Sequence, residues 1–269
     1  MTTRTALVTG ATSGIGAAVA VALRDAGFRV IGTSRNPATA PAVDGIELLE
    51  LDLESRASIT ACAAAALELA GHVDVLVNNA GESQSGPLEE LPLDALDRLF
   101  QLNVLGPVQL TQLLLPGMRA AGYGRVVMVG SMLASFPLPY RSSYAASKAA
   151  IKAFATAARK ELTPYGVWLT TVEPGSINTG ISTRRTKYVA DDSPYKGECD
   201  TVIARLDALE AEGTSAEEVA ATVLAAVQAE RPASLYARGS NAPLVFALRR
   251  IASRGLVEAI TARKFGVRH

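Results

Sequence analysis

Short apolar segments that alternate with helical patterns predict an α/β protein, built on a doubly wound parallel sheet of about seven strands with helices on both faces. A glycine-rich loop joins the first apolar segment to the first helical pattern, which is typical of sheets of this class. The chain has 269 residues, and no internal linker or repeat divides it, so we expect a single domain.

The elements follow from length and periodicity. Seven segments have the length and apolar character of buried strands, namely residues 5–8, 28–33, 46–50, 73–77, 125–129, 167–172 and 233–236. The helical patterns cover residues 15–26, 55–70, 93–121, 141–165 and 215–230, and the third is interrupted near Gly106-Pro107. Gly27 is expected to end the first helix, because glycine is common just after a helix C-terminus. Ser55 is the expected N-cap of the second, and Thr214 with Glu217 forms a capping-box pattern for the last.

Composition excludes several classes of protein. The net charge is zero, so nothing points to nucleic acid, and the hydrophobic fraction of 49% fits a globular core. Cys62 and Cys199 are far apart and have no metal-ligand spacing, which favours a reducing compartment without disulfides and predicts no metal site. No signal peptide is predicted, so we expect a cytoplasmic protein. Residues 99–118 carry no charge, but polar residues interrupt them, and we expect a buried or interface-facing helix pair rather than a membrane span.

The loop at residues 9–16 has the glycine spacing of a dinucleotide site. Gly10 permits the sharp turn, Gly14 allows close approach of a phosphate, and Gly16 lets the helix pack against the sheet. The helix N-terminus then offers amides and a positive dipole end to a pyrophosphate. A glycine-rich loop alone could be only a turn, but the strand–loop–helix context favours Rossmann-like cofactor binding. The other loop residues expected at the cofactor are Thr12, Ser13 and Ile15.

The residues at the end of the second strand indicate which dinucleotide cofactor the site would bind. NAD sites place a carboxylate there for the ribose 2′-hydroxyl, but this chain has Ser34 and Arg35 and no acid. A guanidinium suits a 2′-phosphate, and the Ser13 and Ser34 hydroxyls can add hydrogen bonds. We therefore favour NADP(H) over NAD(H). A solvated surface arginine is the alternative, which would leave the missing acid unexplained.

Two more polar motifs follow strands. Asp52-Leu53 comes after the third strand, where Asp52 could accept from the adenine amino group or cap the next helix. Asn78-Asn79-Ala80-Gly81 ends the fourth strand. Its amides and small residues suit a loop against a cofactor ribose, and they suit equally a hydrogen-bonded turn that stabilises the sheet.

Ser131, Tyr144 and Lys148 together predict a proton-transfer site. Tyr144 and Lys148 are four positions apart, which puts both side chains on one face of a helix. A neighbouring ammonium lowers the pKa of a phenol, which is otherwise about 10. Ser131, thirteen positions before the tyrosine, could then hold a carbonyl oxygen against the phenol. A helix surface pair and a strand-end hydroxyl are the alternatives.

These motifs occur in the order and at the spacings of the short-chain dehydrogenases/reductases, which the chain resembles closely over residues 5–179 and in its strand and helix pattern to about residue 236. The resemblance implies that Tyr144 is the general acid for carbonyl reduction, or the base for alcohol oxidation. It implies that Lys148 lowers the pKa of Tyr144 and binds the nicotinamide ribose, and that Ser131 polarises the substrate oxygen. Asn103 is similar to the family asparagine that holds a water in a proton relay to Lys148.

The same resemblance extends to the cofactor and the assembly. It implies that Pro174, Gly175 and Ile177 line the nicotinamide, and that Thr179 contacts its carboxamide or phosphate. With Arg35 at the end of the second strand, the chain is similar to the NADP-preferring branch of the family. Similar proteins form dimers or tetramers through residues 99–118 and the helix of Tyr144, so we expect a homo-oligomer.

Two regions are expected to decide specificity. In similar proteins the segment at residues 180–211 covers the substrate, and its polar, weakly periodic sequence suggests a mobile lid. The apolar residues between Ser131 and Tyr144 suggest a pocket for a hydrophobic carbonyl compound or alcohol, although they could be ordinary core. The expected pocket residues are Ser131, Leu133, Phe136, Leu138 and Tyr144.

The catalytic domain is expected to span residues 1–237. Residues 238–269 follow it, with seven basic residues, one acidic residue and apolar residues at helical spacing. A basic amphipathic helix can lie on a membrane, but packing on the substrate cleft or on a second subunit is favoured.

The sequence therefore predicts an NADP(H)-dependent carbonyl reductase or alcohol dehydrogenase that acts on a small-molecule substrate. An NAD-linked alcohol dehydrogenase is one alternative. A catalytically silent NADP-sensing or scaffold protein is the other, although it would have no chemical need for Ser131, Tyr144 and Lys148 together.

Overall fold

The structure is a computed structural model that describes residues 3–178, 180 and 183–267. Thr179, which the sequence predicts at the cofactor, lies outside the described residues.

A parallel sheet forms the centre of the molecule. The strands of the described chain are β1 (Thr5–Val8), β2 (Arg29–Ser34), β3 (Glu47–Glu50), β4 (Val75–Asn78), β5 (Gln84–Ser85), β6 (Gly124–Val129), β7 (Val167–Pro174), β8 (Thr186–Lys187) and β9 (Leu235–Arg238). Seven of them form one sheet in the order β3-β2-β1-β4-β6-β7-β9, and every neighbouring pair is parallel. The chain winds outward in one direction from β1 and in the other from β4, which confirms the doubly wound fold.

Helices cover both faces of this sheet. The described α-helices are α1 (Gly14–Asp25), α2 (Arg56–Ala70), α3 (Leu93–Phe100), α4 (Gly106–Ala120), α5 (Ser142–Leu162), α6 (Lys196–Ala211), α7 (Ala216–Gln228), α8 (Ala242–Ile251) and α9 (Arg254–Phe265). Strand side chains alternate between two cores. Leu7 and Leu76 pack with α2, α4 and α5, whereas Ala6 and Val8 pack with α1 and α7. Both cores are apolar because a parallel sheet with helices on both faces leaves neither face to water.

The predicted interruption near Gly106-Pro107 is present as a change of helix type and not as a break in the chain of helical turns. Helices α3 and α4 are joined without a break by a π-helical turn over Gln101–Leu105. Gly106 lies so close to the neighbouring loop that a Cβ there would be 2.9 Å from the Leu53 carbonyl oxygen. Pro107 lies directly after this turn, at the start of α4, so its missing N–H falls where the helix passes from π-helical to α-helical geometry. Gly106 therefore allows close packing, and neither Gly106 nor Pro107 breaks the run of helical turns.

One of the two predicted N-caps shifts by a residue. The Ser55 hydroxyl accepts from the Ser58 amide at 3.2 Å, which confirms this N-cap. The capping box of α7 is formed by Ser215 and Glu218, and the prediction of Thr214 with Glu217 is wrong. Thr214 is occupied elsewhere, because it forms a β-bridge with Ile177 and donates its amide to the Ser176 carbonyl at 3.0 Å.

The segment at residues 180–211 has more regular structure than its composition suggests. Its C-terminal half is helix α6, which buries Cys199, Val202 and Leu206 against the body of the protein. Its other half contributes β8, which pairs with β5 beside the main sheet. The polar sequence did not predict either element, since the buried residues of α6 all lie between Cys199 and Leu206 and β8 is two residues long.

The C-terminal residues fold into α8 and α9, which pack on the domain. Phe246 lies edge-to-face against Phe136, with ring centroids 5.1 Å apart. Phe265 packs with Leu138, Val202 and Leu206. Within the described residues, no helix combines the length and apolar character needed to cross a bilayer.

Candidate active site

A cleft of about 850 Å³ opens along the carboxyl edge of the sheet. Parallel strands end at one edge, so residues distant in sequence meet there. One end is lined by the glycine loop and Arg35, the middle by Asn79, and the other end by Tyr144. Most of the predicted site residues line this cleft: Gly10, Thr12, Ser13, Gly14, Ile15, Ser34, Arg35, Asp52, Leu53, Asn79, Ala80, Gly81, Ser131, Leu133, Phe136, Tyr144, Lys148, Pro174, Gly175 and Ile177.

The glycine loop has the geometry that phosphate binding requires. Gly10 and Gly14 adopt φ values of 66° and 53°, in the left-handed region that favours glycine. Gly16 does not line the cleft, and a Cβ there would be 2.1 Å from the Gly10 carbonyl oxygen. The loop thus brings backbone amides to the N-terminus of α1 in a cradle that larger residues would fill. These residues fit a dinucleotide phosphate.

The asparagine loop supports this cradle. The Asn79 side chain donates to the Thr9 carbonyl at 2.9 Å, and the Thr9 hydroxyl accepts from the Asn79 and Ala80 amides at 2.9 and 3.0 Å. Asn78 donates to the Thr111 hydroxyl at 3.0 Å and is buried. The side chains therefore hold the turn together, while Ala80 and Gly81 face the cleft.

The end of β2 presents a cation and no acid to the cleft. Arg35 and Ser34 both line it, and the Ser34 hydroxyl accepts from the Asn36 amide at 3.3 Å. Asp52 also lines the cleft, and its carboxylate accepts from the Glu54 amide at 3.0 Å. Because Ser55 caps α2, the capping role that the sequence allowed for Asp52 is wrong.

Ser131, Tyr144 and Lys148 come together at the far end, and all three are buried. Ser131 follows β6, and its hydroxyl accepts from the Leu133 amide at 3.2 Å. Tyr144 and Lys148 lie in the first two turns of α5, on one face as the spacing predicts. The Lys148 ammonium donates to the Val129 carbonyl at 3.0 Å and lies 5.8 Å from the Tyr144 ring centroid.

The pKa values show how burial acts on this pair. Burial lowers the pKa of Lys148 to about 8. Burial raises the pKa of Tyr144, while the Arg141 charge and a hydrogen bond with Ser131 oppose the rise. The resemblance assigned the lowering of this pKa to Lys148, but the cation nearest the ring is Arg141, at 4.4 Å from the centroid.

Sequence reasoning missed Arg141. Its guanidinium is buried and donates to the Gln84 carbonyl and to the Ser83 hydroxyl, both at 3.0 Å. One signal for it was available. Arg141 immediately precedes α5, and a cation at a helix N-terminus is electrostatically unfavourable, so its presence there calls for a compensating role.

Asn103 lies in the π-helical turn and does not line the cleft. Its side chain exchanges two hydrogen bonds with the Glu82 backbone, at 2.9 and 3.0 Å, and donates to the Ser147 hydroxyl at 3.1 Å. A Cβ on Gly81 would be 3.1 Å from the Asn103 oxygen and 3.4 Å from the Lys148 ammonium, so the two groups flank this glycine. Asn103 therefore fixes the loop beside Lys148, and its water-holding role stays a prediction.

The Tyr144 end of the cleft, where we expect the substrate, is mainly apolar, and residues of α8 and α9 form part of its lining. Leu133 and Phe136 line it as predicted, whereas Leu138 is buried in a separate cluster with Phe265. The sequence did not single out the C-terminal lining residues Val245, Ile260, Thr261, Lys264 and Phe265. Charged side chains at this end include Arg141, Lys148, Glu210 and Lys264, and burial raises the pKa of Glu210. Arg184 also lines the cleft, but it donates to the Ser13 hydroxyl of the glycine loop at 3.4 Å. Among the described residues, no group of His, Cys, Asp or Glu side chains could hold a metal ion.

Comparison with known proteins places this cleft in a family. Residues 4–189 match the family model described as short chain dehydrogenase. The curated dehydrogenase/reductase SDR family member 7B of Bos taurus is 34% identical over 82% of this chain and 69% of its own length. A short-chain dehydrogenase from Streptomyces avermitilis has a TM-score of 0.81 and 33% identity, and the match covers 99% of both chains.

Two structural neighbours hold different cofactors. A metagenomic short-chain oxidoreductase in complex with NADP has a TM-score of 0.68 and 27% identity over 87% of this chain and 96% of its own. A 3-ketoacyl-(acyl-carrier-protein) reductase from Brucella melitensis, complexed with NADH, has a TM-score of 0.73 and 25% identity over 87% and 95%. The chain belongs to the short-chain dehydrogenase family, and it is an oxidoreductase of the kind that acts on CH–OH groups with NAD(P)(H).

Proposed function

We propose that the protein is an NADP(H)-dependent oxidoreductase that interconverts a hydrophobic ketone or aldehyde and its alcohol. The observation that carries the proposal is the cleft itself, which has Arg35 at one end and Ser131, Tyr144 and Lys148 at the other. A cofactor-sized groove and a buried acid–base group thus share one cavity.

The positions of the side chains support proton delivery by Tyr144. A nicotinamide cofactor held in this cleft would supply the hydride that the carbonyl carbon receives. The Ser131 and Tyr144 hydroxyls hold the carbonyl oxygen, and Tyr144 donates its proton to that oxygen as negative charge develops there. Lys148 stabilises the tyrosinate that remains, and burial makes its own proton easier to pass on, since its pKa is lowered to about 8. For alcohol oxidation the same groups act in reverse.

Preference for NADP(H) is supported by the end of β2. Arg35 offers a guanidinium to a 2′-phosphate, and the carboxylate that would bind a 2′-hydroxyl is missing. An NADP(H) site favours the direction in which the carbonyl compound is reduced to the alcohol. Preference for a hydrophobic substrate is supported by Leu133, Phe136 and the C-terminal residues that line the same end.

We further propose a homo-oligomer in the cytoplasm. Leu113 on α4 and Phe154 on α5 are exposed apolar side chains on the two helices expected at the subunit contact. Cys62 and Cys199 are buried free thiols, which suits a reducing compartment. Light scattering of the wild type and of Phe154→Glu tests the contact, with a lower mass expected for the variant.

A substrate panel tests the activity. The purified protein is incubated with NADPH or NADH and a range of ketones and aldehydes of increasing apolar size, and oxidation of the cofactor is followed by absorbance. We expect turnover with NADPH that improves with apolar substrates. Tight NADPH binding without turnover on any of them would favour the sensing or scaffold function, and stronger turnover with NADH would favour the NAD-linked enzyme.

A further inference from the structure

Helices α8 and α9 expose apolar side chains on their outward faces. Between 46% and 83% of the surface of each of these residues is exposed, and together we call them the C-terminal stripe: Leu244, Leu248, Ile251, Leu256 and Ile260. Leu244, Leu248 and Ile251 follow one another at helical spacing along α8, and Leu256 and Ile260 do so along α9.

The stripe is additional to the packing that holds these helices to the domain. The inward side chains Val245, Phe246 and Val257 pack with Met132 and Phe136. A surface helix that has buried one apolar face normally presents a polar opposite face to water. Here the outward face is apolar as well, which marks an interaction surface.

The charge around the stripe indicates the chemistry of the partner. Residues 242–265 contain five basic residues and a single acidic one, Glu258, in a chain whose net charge is zero. Arg250, Arg263 and Lys264 are exposed. Apolar side chains beside an excess of basic ones complement a surface that is apolar inside and anionic outside, as the interface of an anionic bilayer is.

The stripe also borders the cleft. Ile260 belongs to the stripe and lines the cleft, and Lys264, one turn farther along α9, lines the cleft and is exposed. A bilayer in contact with the stripe would therefore meet the substrate end of the cavity rather than the Arg35 end.

We propose that the C-terminal stripe docks the protein on an anionic lipid surface, with α8 and α9 lying in the plane of the interface. A second step, which rests on the proposed function, is that an apolar substrate dissolved in the bilayer enters the cleft beside Ile260. Docking itself requires neither cofactor nor turnover.

Vesicle co-sedimentation of the full chain tests the docking. The vesicles are pure phosphatidylcholine or an equal mixture of phosphatidylcholine and phosphatidylglycerol, and the protein carries no cofactor or substrate. We expect the wild type to pellet with the anionic vesicles and not with the neutral ones, and less as salt is added.

Two double variants distinguish docking through the C-terminal stripe from nonspecific adsorption to the vesicles. Leu248→Glu with Ile251→Glu places two carboxylates in the stripe and should lower the pelleted fraction at least tenfold. Leu88→Glu with Leu93→Glu changes equally exposed leucines outside α8 and α9 and should pellet like the wild type. NADPH binding by each variant shows that the domain is folded.

Other outcomes overturn the proposal. They are a wild type that does not pellet with anionic vesicles, equal losses in both double variants, or a light-scattering mass that falls only for the stripe variant, which would assign the stripe to a second copy of the chain. Because binding is measured without turnover, a protein that docks but reduces no carbonyl compound would contradict only the proposed function.

Discussion

The guanidinium carbon of Arg141 lies 4.4 Å from the ring centroid of Tyr144. Both groups are buried, and Arg141 is held in place by the Ser83 hydroxyl and the Gln84 carbonyl beside β5. A cation over the ring favours the negatively charged phenolate, and it acts more strongly in a dry site than in water. Tyr144, the proposed proton donor, is thus paired with a second cation besides Lys148, and this cation is held by the strand that pairs with β8.

Replacement of Arg141 by glutamine tests this pairing. Without the charge, burial raises the pKa of Tyr144 with less opposition, so less tyrosinate exists at any given pH. We expect the pH profile of kcat/KM for alcohol oxidation to move to higher pH, and activity at neutral pH to fall about tenfold, which corresponds to ~1.4 kcal/mol. Arg141→Lys keeps a charge and should recover part of the shift. A lower melting temperature with an unchanged pH profile would show that Arg141 only supports the fold.

Tyr144→Phe removes the proposed proton donor and preserves the ring. We expect kcat to fall by a factor of about 10²–10⁴, the range typical of a general acid. The Kd for NADPH, measured by calorimetry, should stay close to the wild-type value, since the ring still packs in place. Retained turnover in Tyr144→Phe would contradict the proposed mechanism.

Ser131→Ala should lower kcat/KM for the same substrate, because it removes the second hydroxyl at the carbonyl oxygen.

The main sheet could be predicted because its signals are local. Buried parallel strands are continuous apolar runs, and each of the seven predicted segments overlaps a strand of the sheet. The order β3-β2-β1-β4-β6-β7-β9 then brings Gly10, Asn79 and Ser131 to one edge, because all the strands point the same way. The fold class and the position of these three residues at one edge of the sheet could therefore be predicted from short stretches of sequence.

The features that were missed depend on contacts between distant residues. Strands β5 and β8 are two residues long and separated by about a hundred positions, so neither has a pattern of its own. The partners of Arg141 lie on β5 and just before it, and could not be identified without that pairing. Thr214 satisfies the local rule for an N-cap, but its bridge to Ile177 moves the cap to Ser215.

Replacement of Arg35 by alanine tests the cofactor preference. A charged hydrogen bond contributes roughly 1.5–3 kcal/mol, so we expect the Kd for NADPH to rise about 10–100-fold and that for NADH to change little. Arg56→Ala removes an exposed arginine from the start of α2 and should leave both constants unchanged. Calorimetric titration of both cofactors measures the effect. Equal losses for NADPH and NADH would contradict the 2′-phosphate role of Arg35.

Gly16→Ala tests the rigidity of the cofactor loop. The added Cβ would be 2.1 Å from the Gly10 carbonyl oxygen and 2.4 Å from the Asn79 side-chain nitrogen. Neither atom can withdraw freely, because Asn79 holds the Thr9 carbonyl at 2.9 Å. Overpacking costs about 1–3 kcal/mol, so we expect a lower free energy of unfolding in urea and at least tenfold weaker NADPH binding.

Gly197→Ala is the matched control for this substitution. Gly197 lies in the first turn of α6, and among the described residues no atom outside its local backbone lies within 4 Å of a Cβ built there. Alanine is a better helix former than glycine by about 0.8–1 kcal/mol at an interior position, so this variant should be slightly more stable than the wild type and bind NADPH normally. If Gly16→Ala were as stable as Gly197→Ala and bound NADPH normally, the loop would be able to move away from the added methyl group. That result would contradict the explanation that the close approach of α1 to the sheet requires glycine at position 16.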